Sequence, residues 1–86
     1  MSEVKLSVQV FPHLSVEGQD FTATRVMATA EVGEVGYSSD RLVVDQAIDE
    51  MVATSPTPLT REQVINTVKR DVLRELSAIL VEKGIL

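Results

Sequence analysis

Cysteine is absent from this chain of 86 residues, which excludes disulfides and thiolate metal sites. Aromatic residues are scarce, with two Phe, one Tyr and no Trp, so the core must be built from aliphatic side chains. A domain of this size buries only about 60–65% of the surface that its unfolded chain exposes. Since covalent and metal staples are excluded, association with a second copy is the simplest remaining source of stability.

Long apolar runs and clustered positive charge are also missing. No apolar stretch approaches the roughly 18 residues needed to span a bilayer, and the start Met-Ser-Glu-Val-Lys lacks the features of a signal peptide. We therefore expect a soluble, cytoplasmic protein that does not bind membranes. The net charge is −5, with thirteen acidic residues against eight Lys and Arg. This balance argues against a nonspecific nucleic-acid binder, which needs clustered bases.

Two segments in the first half of the chain predict strands. Apolar and polar residues alternate from Val4 to Val10, which indicates a half-buried strand over residues 3–11 that Pro12 interrupts. Residues 21–32 are rich in Thr, Val and Ala and predict a second strand, antiparallel to the first. Gly18 lies in a polar turn between them.

Two helices are predicted in the second half. Ser38 or Ser39 would cap a first helix over about residues 39–54. Thr60 and Gln63 fit a capping box that starts a second helix over residues 60–83, and Gly84 would end it. The predicted fold class is α+β: one domain over residues 1–86, an N-terminal antiparallel β-hairpin followed by a two-helix hairpin (ββαα), completed as a homodimer.

The second helix carries an apolar arc that covers about half of its circumference. A helix lying on one partner shows a stripe of about 100°, so the wider arc predicts a second contact surface. The alternatives are a monomer whose own hairpin covers the arc, and two hairpins that pair edge to edge across a two-fold axis. The predicted interface residues are Val64, Val68, Val72, Leu73, Leu76, Ile79 and Leu80.

Residues that could carry chemistry are few. His13 is the only histidine, and no neighbouring pattern predicts a nucleophile or a second metal ligand. Asp45 and Asp49 lie four residues apart on the first predicted helix, where a solvated charged face is the expected role. Gly33 and Gly36 fit a turn and not a phosphate-binding loop. We therefore predict no catalytic residue, no metal site and no cofactor.

Acidic residues suggest one possible partner surface. On a shared face they would attract a basic partner or imitate nucleic acid, which suggests an acidic inhibitor as one functional alternative. The members of this predicted acidic patch are Glu31, Glu34, Asp40, Asp45, Asp49 and Glu50.

Basic residues suggest a second possible partner surface. Lys69, Arg70 and Arg74 form a strip on the second helix, and Arg25 is the only base of the second strand. The order strand, helix, helix in a dimer resembles the ribbon-helix-helix repressors, which lay paired strands in the DNA major groove. That resemblance implies a dimeric DNA-binding regulator contacting DNA through Arg25, Lys69, Arg70 and Arg74. The resemblance is limited to element order, because glycines separate strand from helix and the second helix is longer than that fold uses.

The function favoured by these observations is a small non-enzymatic interaction module of accessory or regulatory type. It would act as a homodimer that binds another macromolecule, most simply a protein. A ribbon-helix-helix regulator is the second hypothesis and an acidic inhibitor the third.

Overall fold

Three antiparallel strands precede two helices in the computed structural model, which describes residues 3–86. The strands form one sheet in the order β1-β2-β3. The α+β class is therefore confirmed. The elements are β1 (Val4–Ser15), β2 (Thr22–Val32), β3 (Val35–Val44), α1 (Asp45–Thr54) and α2 (Arg61–Glu82).

The third strand corrects the predicted hairpin. Residues 35–44 pair with β2, so the helix predicted from residue 39 begins only at Asp45, and neither Ser38 nor Ser39 is its cap. Gly33 and Glu34 form a two-residue turn with Gly33 at φ 63°, which suits the first position of a type II′ hairpin turn. The run of apolar residues 42–44 fits either a helix face or a strand end. The turn at Gly33 and Glu34 directs the chain back along β2, so these residues form the end of a strand.

β1 is longer than predicted because the chain passes through Pro12 without leaving the sheet. The pairing with β2 is regular up to Phe11 and resumes at Leu14 after a register shift. His13 lies within this bulge at φ 54°, the left-handed region that few non-glycine residues adopt. The bulge lets the strand continue to Ser15, which pairs with Thr22.

The predicted boundaries of the second helix are confirmed. The side chain of Thr60 accepts a hydrogen bond from the backbone of Gln63, and the Gln63 side chain accepts one from the backbone of Thr60. At the other end Gly84 has φ 77°, and the amide of Ile85 donates to the carbonyl of Leu80 at 2.8 Å. These bonds form a capping box and a Schellman motif, which satisfy backbone groups at both helix ends.

The core lies between α2 and the second and third strands. Ala28 and Ala30 on β2 are small and fully buried, which lets the helix approach the sheet closely. None of the helices within residues 3–86 is long and apolar enough to cross a membrane. The main core cluster consists of Val26, Ala28, Ala30, Val68, Val72, Leu76 and Leu80.

Candidate functional site

The helix-facing side of β1 is an incompletely covered apolar surface of the sheet. Leu6 pairs with Ala30 of the core, so both side chains lie on the side of the sheet that α2 covers. Leu6 is nevertheless 56% exposed, and Val8 and Val10 are only partly buried. The cause is the position of α2, which packs on β2 and β3 and leaves the first strand at its margin.

β1 is also an edge strand whose outer backbone groups have no neighbouring strand within the sheet. Residues 4–11 contain no proline or glycine, and the one proline that protects the edge is Pro12, beside the bulge. Edges of this kind are templates for pairing with another chain unless they are blunted. β3, the other edge, is tied to α2 by Arg41, which contacts Asp71 and Glu75.

The predicted helix interface is mostly covered by the chain's own sheet. Val64, Val68, Val72, Leu76 and Leu80 are buried within the chain. Leu73 and Ile79 are partly buried. The wide apolar arc therefore does not need a second copy to cover it, and the homodimer itself stays a prediction.

Asp45 is the centre of a polar cluster that the sequence patterns did not predict. Its carboxylate accepts hydrogen bonds from the hydroxyls of Thr22 at 2.5 Å and Thr24 at 2.7 Å, and from Arg61 at 2.5 Å. His13 Nδ1 lies 3.1 Å from the same carboxylate. The cluster joins the bulge of β1 to β2, α1 and α2. The expectation that Asp45 faces solvent is therefore wrong, because the side chain is only 10% exposed.

The charge of Asp45 is held by this cluster. Burial by itself would raise the pKa of the carboxyl group, but hydrogen bonds from Thr22, Thr24, Arg61 and His13 outweigh burial and hold its pKa well below the usual range. The carboxylate also begins α1, where the helix dipole favours negative charge. Asp45 is thus a permanently charged anchor at ordinary pH.

His13 supplies the most exposed contact of this cluster, with 64% of its side chain accessible. A carboxylate on one ring nitrogen is an arrangement found in catalytic dyads. Among the hydrogen bonds of residues 3–86, however, none joins a hydroxyl to the other ring nitrogen, and the Thr22 hydroxyl is already directed at Asp45. The contacts of His13 are those of a tether between the bulge and the first helix.

The strain at His13 leads to a prediction. His13→Gly and His13→Ala both lose the contact with Asp45, but only glycine adopts the left-handed backbone at no steric cost. We expect His13→Gly to be more stable than His13→Ala by about 1 kcal/mol, the usual penalty of that conformation for a side chain. Urea unfolding of both variants measures this difference. Equal stabilities would show that the bulge relaxes when the histidine is removed.

The described residues were compared with the requirements of a metal site and contain two cavities. No group of three or more His, Asp or Glu side chains in residues 3–86 is placed to hold a metal ion. A cavity of about 260 Å³ lies beside Glu3, Lys5, Glu31 and Gly33 at one end of the sheet. A second cavity, of about 300 Å³ and with mostly apolar walls, lies between α1 and α2.

The residues of the predicted acidic patch are not brought together. Glu31 and Glu34 lie at the β2–β3 turn, Asp40 pairs with Arg25, and Asp45 is buried. Glu31 and Glu34 are exposed at that turn, and Asp49 and Glu50 are exposed on the first helix, so these exposed members form two separate pairs. A single acidic surface that imitates nucleic acid is therefore not formed by these six residues.

The predicted nucleic-acid contacts are also divided. Arg25 pairs in register with Leu42 on the side of the sheet away from the helices, and its guanidinium contacts Asp40 at 2.8 Å. Arg70 and Arg74 are exposed on α2, and Lys69 is partly buried there. The four bases therefore lie on two sides of the sheet and do not form one basic surface.

Comparisons with known proteins add no information to this geometry. No family model, curated protein or solved structure matches the chain.

Proposed function

We propose that this protein is a small non-enzymatic interaction module that forms a homodimer through the free edge of β1. The observation that carries the proposal is the combination, on one strand, of an unpaired edge and an incompletely covered apolar face. A second copy would pair with this edge and would cover the apolar face. In keeping with its acidic, cysteine-free composition, we place the module in the cytoplasm and assign it an accessory or regulatory role in which the dimer binds another macromolecule.

The size of the exposed surface supports this proposal. The chain exposes 6115 Å² at a mass of 9.4 kDa, whereas a folded monomer of that mass is expected to expose about 5,000 Å². The radius of gyration is 15.3 Å, against about 12 Å expected for a compact domain of this length. The excess of about 1,100 Å² compares with the roughly 800 Å² that each partner buries in a standard interface.

A two-fold axis at Ser7 would give the pairing a favourable register. Two antiparallel copies of β1 would then place Leu6 of one copy opposite Val8 of the other, and Lys5 opposite Gln9. No like charges face each other across this axis, and the apolar side chains stay on the helix side. The result would be a continuous six-stranded sheet with all four helices on one face.

Single cysteine substitutions test this arrangement directly. The chain contains no other cysteine, so any disulfide must join the introduced residues of two copies. Ser7 and Ser38 both flank Thr29 in register and lie on the same face, one on each edge of the sheet. We expect Ser7→Cys to form a disulfide between copies under mild oxidation, while Ser38→Cys stays monomeric on a denaturing gel. Crosslinking of Ser38→Cys alone would place the interface at β3, and crosslinking of neither would overturn the edge pairing.

A charged residue on the apolar face of β1 should separate the copies. Leu6→Lys places a charge in the proposed interface. The matched control Leu42→Lys changes a residue of similar exposure, 54% against 56% for Leu6, on the other side of the sheet. Light scattering after size-exclusion chromatography should show a monomer for Leu6→Lys and a dimer for Leu42→Lys. A dimer in both variants would contradict an interface at β1.

A further inference from the structure

The edge strand β1 contains a bulge that divides it into two parts. Its regular pairing with β2 ends at Phe11 and resumes at Leu14, and over this stretch β1 has one residue more than β2. The two residues outside the regular pairing are Pro12 and His13. A bulge bends the strand and increases its local twist. The free edge of β1 therefore consists of a regular segment over residues 4–11 and a distorted end.

Both residues of the bulge make the distorted end unsuitable for a partner strand. Pro12 has no backbone N–H, so it cannot donate a hydrogen bond to a neighbouring strand. His13 has φ 54°, which lies outside the extended region of a strand. Proline and bulges are two of the devices by which proteins limit pairing at a free edge.

The bulge is anchored from inside the domain. His13 Nδ1 lies 3.1 Å from the carboxylate of Asp45. That carboxylate is buried and also accepts hydrogen bonds from Thr24 and Arg61. Asp45 begins α1, so the contact joins the bulge to a helix. The bulge is therefore part of the packed domain and not a fraying strand end.

We propose that Pro12 and His13 set the register in which two copies of β1 pair. This inference rests on the proposed homodimer and names the residues that determine its geometry. The bulge confines pairing to residues 4–11, whose midpoint lies between Ser7 and Val8. The two-fold axis must therefore lie near one of these two residues.

The apolar face of the strand selects between them. With all helices on one face, residues that stand opposite each other must point to the same face of the sheet, so the axis passes through a residue and not between two. An axis at Val8 would leave Val4 opposite Pro12, outside the pairing. An axis at Ser7 keeps every helix-facing apolar residue of the segment in the interface: Val4, Leu6, Val8 and Val10.

Without the bulge, a different register would be favoured. Deletion of His13 removes the extra residue, so that β1 would pair with β2 in one continuous register from Val4 to Ser15. Pro12→Val restores the missing N–H. In a chain with both changes, here called the bulge-free chain, the middle residue of the strand is Gln9. An axis at Gln9 pairs the whole strand, whereas an axis at Ser7 pairs only residues 4–10.

Disulfides between single cysteines distinguish the two registers. Ser7 and Gln9 lie on the same face of β1, and each stands opposite its own counterpart only when the axis passes through it. With the axis at Ser7, the two Gln9 Cα atoms would be about 14 Å apart. Because a disulfide needs Cα atoms within about 7 Å, Ser7→Cys should crosslink about tenfold more than Gln9→Cys in the parent chain. In the bulge-free chain this order should reverse.

His13→Gly is the matched control. Glycine adopts a positive φ without strain, so this variant keeps the extra residue and loses only the imidazole. It should retain the order of crosslinking of the parent chain, because β1 is still one residue longer than its partner over the bulge. Circular dichroism melts establish that each variant is folded.

Amide hydrogen exchange tests the same inference in a strand of unchanged length. The parent dimer is compared with the variant Leu6→Lys, which is expected to be monomeric. Exchange should be slower in the dimer only at amides within residues 4–11, and residues 13–15 should exchange equally in both proteins. This measurement decides the question if the bulge-free chain does not fold.

The outcomes separate the role of the bulge from the homodimer itself. If Ser7→Cys crosslinks in both the parent and the folded bulge-free chain, and Gln9→Cys in neither, the dimer stands and the role of the bulge is overturned. Slower exchange at residues 13–15 in the parent dimer also overturns it. If neither cysteine crosslinks in either chain, the edge pairing is wrong and this inference falls with it.

Discussion

Asp45→Asn is expected to lower the free energy of unfolding by about 3 kcal/mol, the lower end of the cost of removing one partner of a buried ion pair, because the Arg61 side chain is 33% exposed. Asparagine keeps the size of the side chain but loses the charge that Arg61 faces at 2.5 Å. Its amide group also cannot accept all the hydrogen bonds that Thr22, Thr24 and His13 direct at the carboxylate. Four elements of the fold would lose their common anchor at once.

Asp49→Asn is the matched control for this variant. Asp49 lies one turn later on α1, contacts the same arginine at 3.7 Å, and is 74% exposed. Its replacement should change stability by no more than about 0.5 kcal/mol, as is usual for exposed sites. Urea unfolding at neutral pH and at one fixed protein concentration measures both variants. Equal effects would show that the Asp45 cluster does not anchor the fold.

The same cluster predicts how stability depends on acid. The pKa of Asp45 is lowered in the folded state from its ordinary value of 3.8. A lowered pKa means that the carboxylate contributes its full stability above that value and loses it progressively as the pH falls further. The stability difference between the parent chain and Asp45→Asn should therefore be constant near neutral pH and shrink below about pH 4. A difference that grows in acid would contradict the assignment.

The second large effect is expected at the centre of the core. Leu76→Ala should cost about 2–5 kcal/mol, the range for removing a large aliphatic side chain and leaving a cavity. Leu76 is 1% exposed and packs with Val26, Val72 and Leu80 of the main cluster. In a core this small, one cavity removes a large share of the total stability.

The control for Leu76 lies on the same helix. Val81 is 60% exposed, so Val81→Ala should change the free energy of unfolding by less than about 0.5 kcal/mol. Both measurements are made at the same high protein concentration, so that any contribution of dimer association to the free energy of unfolding is the same for both variants. A small effect at Leu76 would mean that α2 does not pack on the sheet as described.

Local chemistry made some elements predictable from sequence. The second helix is bounded by a capping box and a glycine stop, whose hydrogen bonds involve residues close in sequence. Apolar and polar residues alternate within β1 and β2 because successive side chains of a strand point to opposite faces of the sheet. Signals of this kind do not depend on the rest of the fold.

The third strand was not predicted because its signals conflict. Residues 42–44 are all apolar, a pattern that also fits the first turn of a helix, and two serines precede them as plausible caps. The deciding signal was the dipeptide Gly33-Glu34 between Val32 and Val35, which suits a two-residue hairpin turn. Gly33 and Gly36 also fit a loop between a strand and a helix, and with that interpretation the hairpin is not predicted.

The Asp45 cluster was beyond pattern analysis for a different reason. Its partners come from residues 13, 22, 24 and 61, and only the folded sheet and helices bring them together. Periodicity did place Asp45 on a helix but assigned it to the solvent side. The same applies to the apolar face of β1, because its exposure depends on where α2 crosses the sheet.

The molar mass of the parent chain in solution tests the central claim most directly. Light scattering after size-exclusion chromatography, over a wide range of dilution, should give twice the chain mass of 9.4 kDa. A thermal melt measured in parallel should shift to lower temperature on dilution, because dissociation would then be linked to unfolding. A folded monomer of 9.4 kDa at every concentration would contradict assembly through β1.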